Sequence, residues 1–165
     1  MRRCVERSEQ AAVRQAHSAL RRAAIVIAPA MAAAEAGLVV LVDIVAMRGV
    51  NARHGVATGD RLLAAVDDSL CARFLGAGVV ARLAGDQFVV VIPGEAQIEP
   101  VVEWVRDAVA RTRVRGRWGR AIVVEANVGA ATWNDQDSRH TALAAAGVVL
   151  RARPGPEGDR RPRRR

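Results

Sequence analysis

The stretch Arg82-Leu83-Ala84-Gly85-Asp86-Gln87-Phe88 lies between two apolar runs, 77–81 and 89–92, and its reading decides the fold. A glycine beside an acidic residue between two such runs predicts a tight β-hairpin with the acid at its tip. There the backbone is open to a ligand, and the carboxylate is placed to hold a metal–phosphate. Residues 79–83 and 88–92 are the predicted strands, and Pro93-Gly94 stops the second. Upstream, Leu38-Val39-Val40-Leu41-Val42-Asp43 ends another apolar run in a second carboxylate. Residues 38–45 read as a strand buried on both faces. Two strands that each deliver one acid to the same sheet edge point to a divalent-metal nucleotide site. Acids at strand ends are also ordinary surface residues, so further residues must decide between the two readings.

From Asp43 the chain continues DIVAMRGVNARHGVATGDRLLAAV and later reads AGDQF at 84–88. Asp43, Asn51, Gly55, Gly59, Asp60, Leu63, Arg82, Gly85, Asp86 and Phe88 agree in type and spacing with the pattern DxDxFKxxNDxxGHxxGDxxL followed by GGDEF. Ala126-Asn127-Val128-Gly129-Ala130 resembles an xSIGxA strand, and 145–153 resembles an ADxALYxAK helix. On these residues the chain resembles the GGDEF, or diguanylate cyclase, family over residues 10 to 153. It departs from the pattern at Val45, Ala52 and Val56, at Ala84 and Gln87 in the hairpin, and at Ala146 and Leu150. The opening DxLTGLxNR motif is absent, so the resemblance is to a degenerate member.

The resemblance implies an α+β, palm-like, nucleotide-cyclase-like fold: a central, mainly antiparallel sheet flanked by helices, with the signature on a β-hairpin. It implies GTP as ligand, Mg2+ or Mn2+ as cofactor, and weak or residual condensation of two GTP molecules into cyclic di-GMP by a homodimer. The other reading is a catalytically inactive domain that acts as a nucleotide-gated module for a protein partner. By resemblance Asp43, the main-chain carbonyl of Ile44 and Asp86 are the metal ligands, and Asp86 and Gln87 occupy the catalytic positions. The phosphate contacts fall on main-chain amides of 45–48, Met47 and Arg48 among them, with Gly85 at the hairpin. Asn51 and Asp60 fall on the guanine-binding positions. Their bland reading is a turn residue and a helix cap. Gln87 keeps the size of the family's Glu but removes a negative charge, and Ala84 adds strain if its position requires positive φ. The family's inhibitory RxxD site aligns with Leu75-Gly76-Ala77-Gly78, which offers no side chain to a phosphate, so product feedback is expected to be absent.

The remaining sequence bounds the partners. At 165 residues and 51% hydrophobic content the chain is long enough for one domain with a real core. The expected organisation is a basic helical segment at 1–22 that continues into a domain at 23–153, then a disordered basic tail at 154–165. The net charge of +8 invites a nucleic-acid reading, but residues 23–150 hold 12 Arg against 13 acids, so the excess sits in the tails. The arginine-rich run 111–120, with Trp118 inside it, can bind single strands but reads more simply as a solvated loop, so no specific nucleic acid is expected. Lysine is absent, which reads as a GC-rich bacterial codon bias. Cys4 and Cys71 have no metal-binding spacing and read as free thiols in a reducing cytoplasm. The apolar stretch 23–42 is long enough to span a membrane. Pro29, Glu35 and Gly37 divide it into helix, turn and strand, so no span is expected.

Helices are expected at 6–35, 62–74, 99–114 and 141–153, a loop at 49–59, and a further strand at 121–131. Thr58 or Asp60 is the expected cap of the second helix.

Overall fold

The computed structural model of the protein describes residues 25, 27–134 and 146. After a helical segment at 27–32, the chain forms β1 (Gly37–Ile44), α1 (Met47–His54), α2 (Val56–Arg73), β2 (Val79–Ala84), β3 (Gln87–Pro93), α3 (Ile98–Arg111), β4 (Val114–Arg115), β5 (Ala121–Ile122) and β6 (Ala126–Trp133). The main sheet runs β2-β3-β1-β6 with every neighbouring pair antiparallel, and β4 pairs with β5 in a separate ribbon. The architecture is the α+β one expected, with the signature segment on the β2–β3 hairpin.

The alternation of side chains along a strand explains the layering. Leu38, Val40, Val42 and Ile44 of β1 share one sheet face with Phe88, Val90 and Ile92 of β3 and with Val128 and Ala130 of β6. That face is covered by α1, α2 and α3 through Val50, Leu62, Val66, Leu70, Val105 and Val109. Val39, Val89, Val91 and Trp133 point to the other face, where Ile27, Met31 and Ala146 cover them. Both faces are therefore buried, which is why β1 and β3 are continuous apolar runs rather than alternating ones.

Several boundaries differ from the sequence reading. The expected loop 49–59 is two helices broken only at Gly55, whose φ of 87° is open to glycine. The N–H of Gly55 donates to the carbonyl of Asn51 at 2.9 Å and closes α1. Neither Thr58 nor Asp60 caps α2, which begins at Val56; Thr58 is buried in its first turn, where its hydroxyl accepts from Arg61 at 3.2 Å. Helix α3 stops at Arg111 because Thr112 turns extended, with its hydroxyl 3.0 Å from both the Ala108 carbonyl and the Ser69 hydroxyl. The basic run 111–120 is not a plain loop, since Val114 and Arg115 pair with Ile122 and Ala121. The single strand expected at 121–131 is split accordingly between β5 and β6. Trp104 lies at the rim, with the Arg73 guanidinium 4.2 Å from its ring centroid. Of the helical stretch expected at 6–35, the helix at 27–32 is seen and residues 6–24 lie outside the described residues, as does the helix expected at 141–153 except for the buried helical Ala146. Among the described residues no helix is long and apolar enough to cross a membrane.

Gly37 stands opposite Trp133 in the β1–β6 register, and a Cβ on it would lie 2.1 Å from the indole and 2.5 Å from the carbonyl oxygen of Ile92. Gly37→Ala is therefore expected to lower stability by about 2–3 kcal/mol, measured by denaturant unfolding. A variant within about 0.5 kcal/mol of wild type would show that the tryptophan does not need this glycine floor.

Candidate functional site

The strand register builds the site. Asp43 of β1 stands directly between Gln87 of β3 and Asn127 of β6, so the three side chains lie in one row across the end of the sheet. Gln87 donates its side-chain N–H to Asp43 Oδ1 at 3.4 Å. Burial first, and then the negative charge of Asp86, push the Asp43 carboxyl above its ordinary value, against side-chain hydrogen bonds from Gln87 and Asn127. Asp86 reaches the same corner from the hairpin tip. The N–H of Ile44 donates to the main-chain carbonyl of Asp86 at 3.0 Å, which fastens the tip to the end of β1.

The hairpin is shaped by its own residues. Gly85 takes the positive φ, 54°, whereas Ala84 does not, so the strain considered for Ala84 does not arise. Arg82 donates from Nε and Nη2 to the Gly85 carbonyl at 2.8 and 2.5 Å, and its guanidinium lies 6.0 Å from the Phe88 ring centroid. The sequence matched Arg82 to the family pattern but gave it no role; here it braces the turn that carries Asp86. Asn127 was matched only as part of a strand, and its place beside Asp43 needed the register to be known.

Helix α1 starts directly after this corner. Its first internal bond is from Val50 to Ala46, so the amides of Met47, Arg48 and Gly49 precede the helical ladder. No side chain caps them, and no acid lies in the first turn. Such an end favours an anion. Two residues expected here have other engagements. The Val45 amide donates to the Glu125 carbonyl at 2.9 Å, and the Met47 side chain is buried in the core, so only its amide faces the question of phosphate.

Asn51 and Asp60 are joined through Gly59. The Asn51 side chain lies so close to α2 that a Cβ on Gly59 would sit 1.9 Å from Asn51 Oδ1. That oxygen is buried without a hydrogen-bond partner among the described residues. Asp60 follows Gly59 and is exposed. In the segment 75–78, a Cβ on Gly78 would lie 2.5 Å from the Val91 carbonyl, so packing as well as sequence leaves that position without a side chain. Among the described residues no three His, Cys, Asp or Glu side chains cluster into a metal site. The Asp43–Asp86 corner offers two carboxylates whose mutual repulsion a cation would relieve.

If Gly59 exists to admit Asn51, the two positions are coupled. Gly59→Ala alone is expected to cost about 2–3 kcal/mol, and in the Asn51→Ala background the same change should cost less than about 1 kcal/mol. Additive effects in urea unfolding of the four proteins would contradict the contact.

A family model described as "Diguanylate cyclase, GGDEF domain" matches residues 17–153. The chain is 26% identical over 114 residues to the diguanylate cyclase DosC of Escherichia coli (strain K12), a match covering 68% of this chain and 25% of DosC. It thus spans about a quarter of that relative's length. The fold is similar to that of the diguanylate cyclase SiaD from Pseudomonas aeruginosa, solved in complex with its activator SiaC, at a TM-score of 0.67 and 20% identity over 90% of this chain and 62% of that one. It is also similar to the GGDEF domain of DgcB from Caulobacter crescentus, solved in complex with c-di-GMP, at a TM-score of 0.64 and 24% identity over 82% of this chain and 80% of that one.

Proposed function

Because the chain belongs to the GGDEF family of diguanylate cyclase domains, we propose that it binds GTP together with a divalent metal and is a weak diguanylate cyclase. The observation that carries this reading is the meeting of Asp43 and Asp86 at one sheet end, beside the uncapped start of α1. Asp43, the Ile44 carbonyl and Asp86 would hold Mg2+ or Mn2+ with hard oxygen donors, the phosphate oxygens of GTP completing the shell. The metal, when bound, neutralises charge on the phosphates. The amides of Met47 and Arg48, together with Gly85 of the hairpin, receive the phosphate oxygens. Backbone donors do not depend on side-chain identity, so the departures at Val45 and Met47 leave this part of the site in place.

Guanine recognition falls to Asn51 and Asp60. Asn51 holds the family's guanine position by resemblance, and the exposed Asp60 carboxylate is complementary to the N1–H and amino group of the guanine edge. In the reaction the 3′-hydroxyl of one GTP attacks the α-phosphorus of the other, and pyrophosphate leaves. Asp86 takes the hydroxyl proton. One domain presents one such site, so condensation requires two chains face to face. Gln87 places a neutral amide where the family has a carboxylate, which lowers metal affinity and transition-state stabilisation.

Gln87 also motivates a second reading. Its contact to Asp43 supplies locally part of the compensation a cation would give, which suits a catalytically silent domain that uses nucleotide to gate a protein partner. The related SiaD was solved with an activator protein, so partner binding is compatible with this fold.

The test combines binding with turnover. In calorimetry with Mg2+, wild type should bind GTP about tenfold or more tightly than ATP, and Asp60→Ala should lose most of that difference. In product chromatography with Mg2+ or Mn2+, Gln87→Glu should form more cyclic di-GMP than wild type, with rates rising faster than linearly in protein concentration while dimers are scarce. Equal affinity for the two nucleotides would refute the base assignment. A Gln87→Glu variant that binds GTP but makes no cyclic di-GMP would favour the interaction module.

A further inference from the structure

A cleft of about 750 Å3 runs along α1 from its start at Val45, Ala46 and Gly49 and includes none of Asp43, Asp86, Asn51 or Asp60. One wall is α1, through Val50, Arg53 and His54. The other is the β4–β5 ribbon and the segment after it, through Trp118, Arg120 and Glu125. Its volume is that of a small-molecule site, large enough for a ligand of nucleotide size.

The walls are held in place. In the ribbon's turn Gly116 donates to the Arg120 carbonyl at 2.8 Å, and Gly119 donates to the Gly116 carbonyl at 3.0 Å. The ribbon is tied to α1 by the Arg117 amide, which donates to His54 Nδ1 at 3.3 Å. His54 also meets Trp118 edge-on, with ring centroids 5.4 Å apart. Gly116 is needed for this approach, since a Cβ there would lie 2.8 Å from His54 Nδ1. Trp118 is thus oriented by a neighbour yet remains 69% exposed, an apolar face in water that its own chain does not cover.

Arg53 and Arg120 are both exposed, and neither has an ion pair among the described residues; the two ion pairs there are on α3, Arg106 with Glu103 and Arg111 with Asp107. Glu125 is likewise exposed and unpaired among the described residues. The lining therefore combines a largely apolar floor, which includes Val50, Ile122 and Val124, with an open aromatic face, two cations suited to a phosphate, and one carboxylate suited to sugar hydroxyls. A purely apolar partner would strand these charges.

We propose that the cleft between α1 and the β4–β5 ribbon is a second binding site, for a phosphorylated aromatic ligand of nucleoside monophosphate size. The aromatic ring rests on Trp118, Arg53 and Arg120 hold the phosphate, and Glu125 accepts from the sugar hydroxyls. The inference does not depend on the guanine or metal assignments, because Asn51, Asp60, Asp43 and Asp86 lie outside the cleft, although its lining meets the start of α1 at Val45, Ala46 and Gly49.

The probe is adenosine 5′-monophosphate, titrated into the full chain in EDTA and followed by calorimetry for every variant, with the indole N–H resonances locating the site wherever Trp118 is present. The Trp118 signal should shift saturably. Arg53→Ala and Arg120→Ala should each weaken binding about five- to tenfold, and Trp118→Ala should abolish it. Trp118→Phe, which keeps a ring and so controls for folding of the ribbon, should stay within about threefold of wild type. Asp60→Ala should leave binding unchanged. No saturable shift up to about 10 mM would overturn the proposal, as would insensitivity to both arginines or loss of binding in Asp60→Ala. A hexadeoxythymidylate that binds where the monophosphate does not would equally overturn it, pointing instead to single-stranded nucleic acid.

Discussion

The register that sets Asp43 between Gln87 and Asn127 is the constraint on which the rest depends. Slipping β1 by one residue would turn Asp43 toward the helical core and expel Val42 and Ile44 from it. Each such aliphatic side chain is worth about 2 kcal/mol of burial, and an unpaired carboxylate in their place costs more. The opposite face is buried too and would cover the displaced aliphatic residues in part, so it is the misplaced Asp43 carboxylate that makes a slipped register costly. The Ile44–Asp86 and Val45–Glu125 hydrogen bonds then carry the fixed register beyond the strand end, into the hairpin tip and the segment before β6.

Much of the corner is made by main chain, which explains how so many family positions have changed without loss of its shape. Val45 and Met47 replace polar or aromatic residues of the pattern, but Val45 acts here through its amide and Met47 fills the core. Ala84 replaces a glycine at a place where φ is not positive, and the demanding conformation falls on Gly85, which is kept. Gln87 is of another kind. It preserves a hydrogen bond to Asp43 while removing a charge, so it alters chemistry and leaves geometry intact.

Both carboxylates, the hairpin and the buried character of β1 and β3 were legible in the sequence, because apolar runs bounded by Gly, Pro and an acid follow directly from strand and turn chemistry. The match of Asn51, Gly59 and Asp60 was legible as spacing; that Gly59 is there to admit the Asn51 side chain was not, since this depends on how closely α1 and α2 approach. The helical state of 47–54 was hidden by two glycines flanking few apolar residues. Asn127 was hidden by distance, because a residue 84 positions from Asp43 becomes its neighbour only through β6 pairing with β1. The β4–β5 ribbon, two residues to a strand, is too short for any periodicity to reveal.

The claim that this sheet end holds a metal–nucleotide can be tested where it is most local. Mn2+ added at substoichiometric levels with GTP to the 15N-labelled protein should broaden first the amide resonances of Asp43, Ile44, Asp86 and Asn127 and those at the start of α1. Broadening centred on other residues, or none that GTP promotes, would contradict the account.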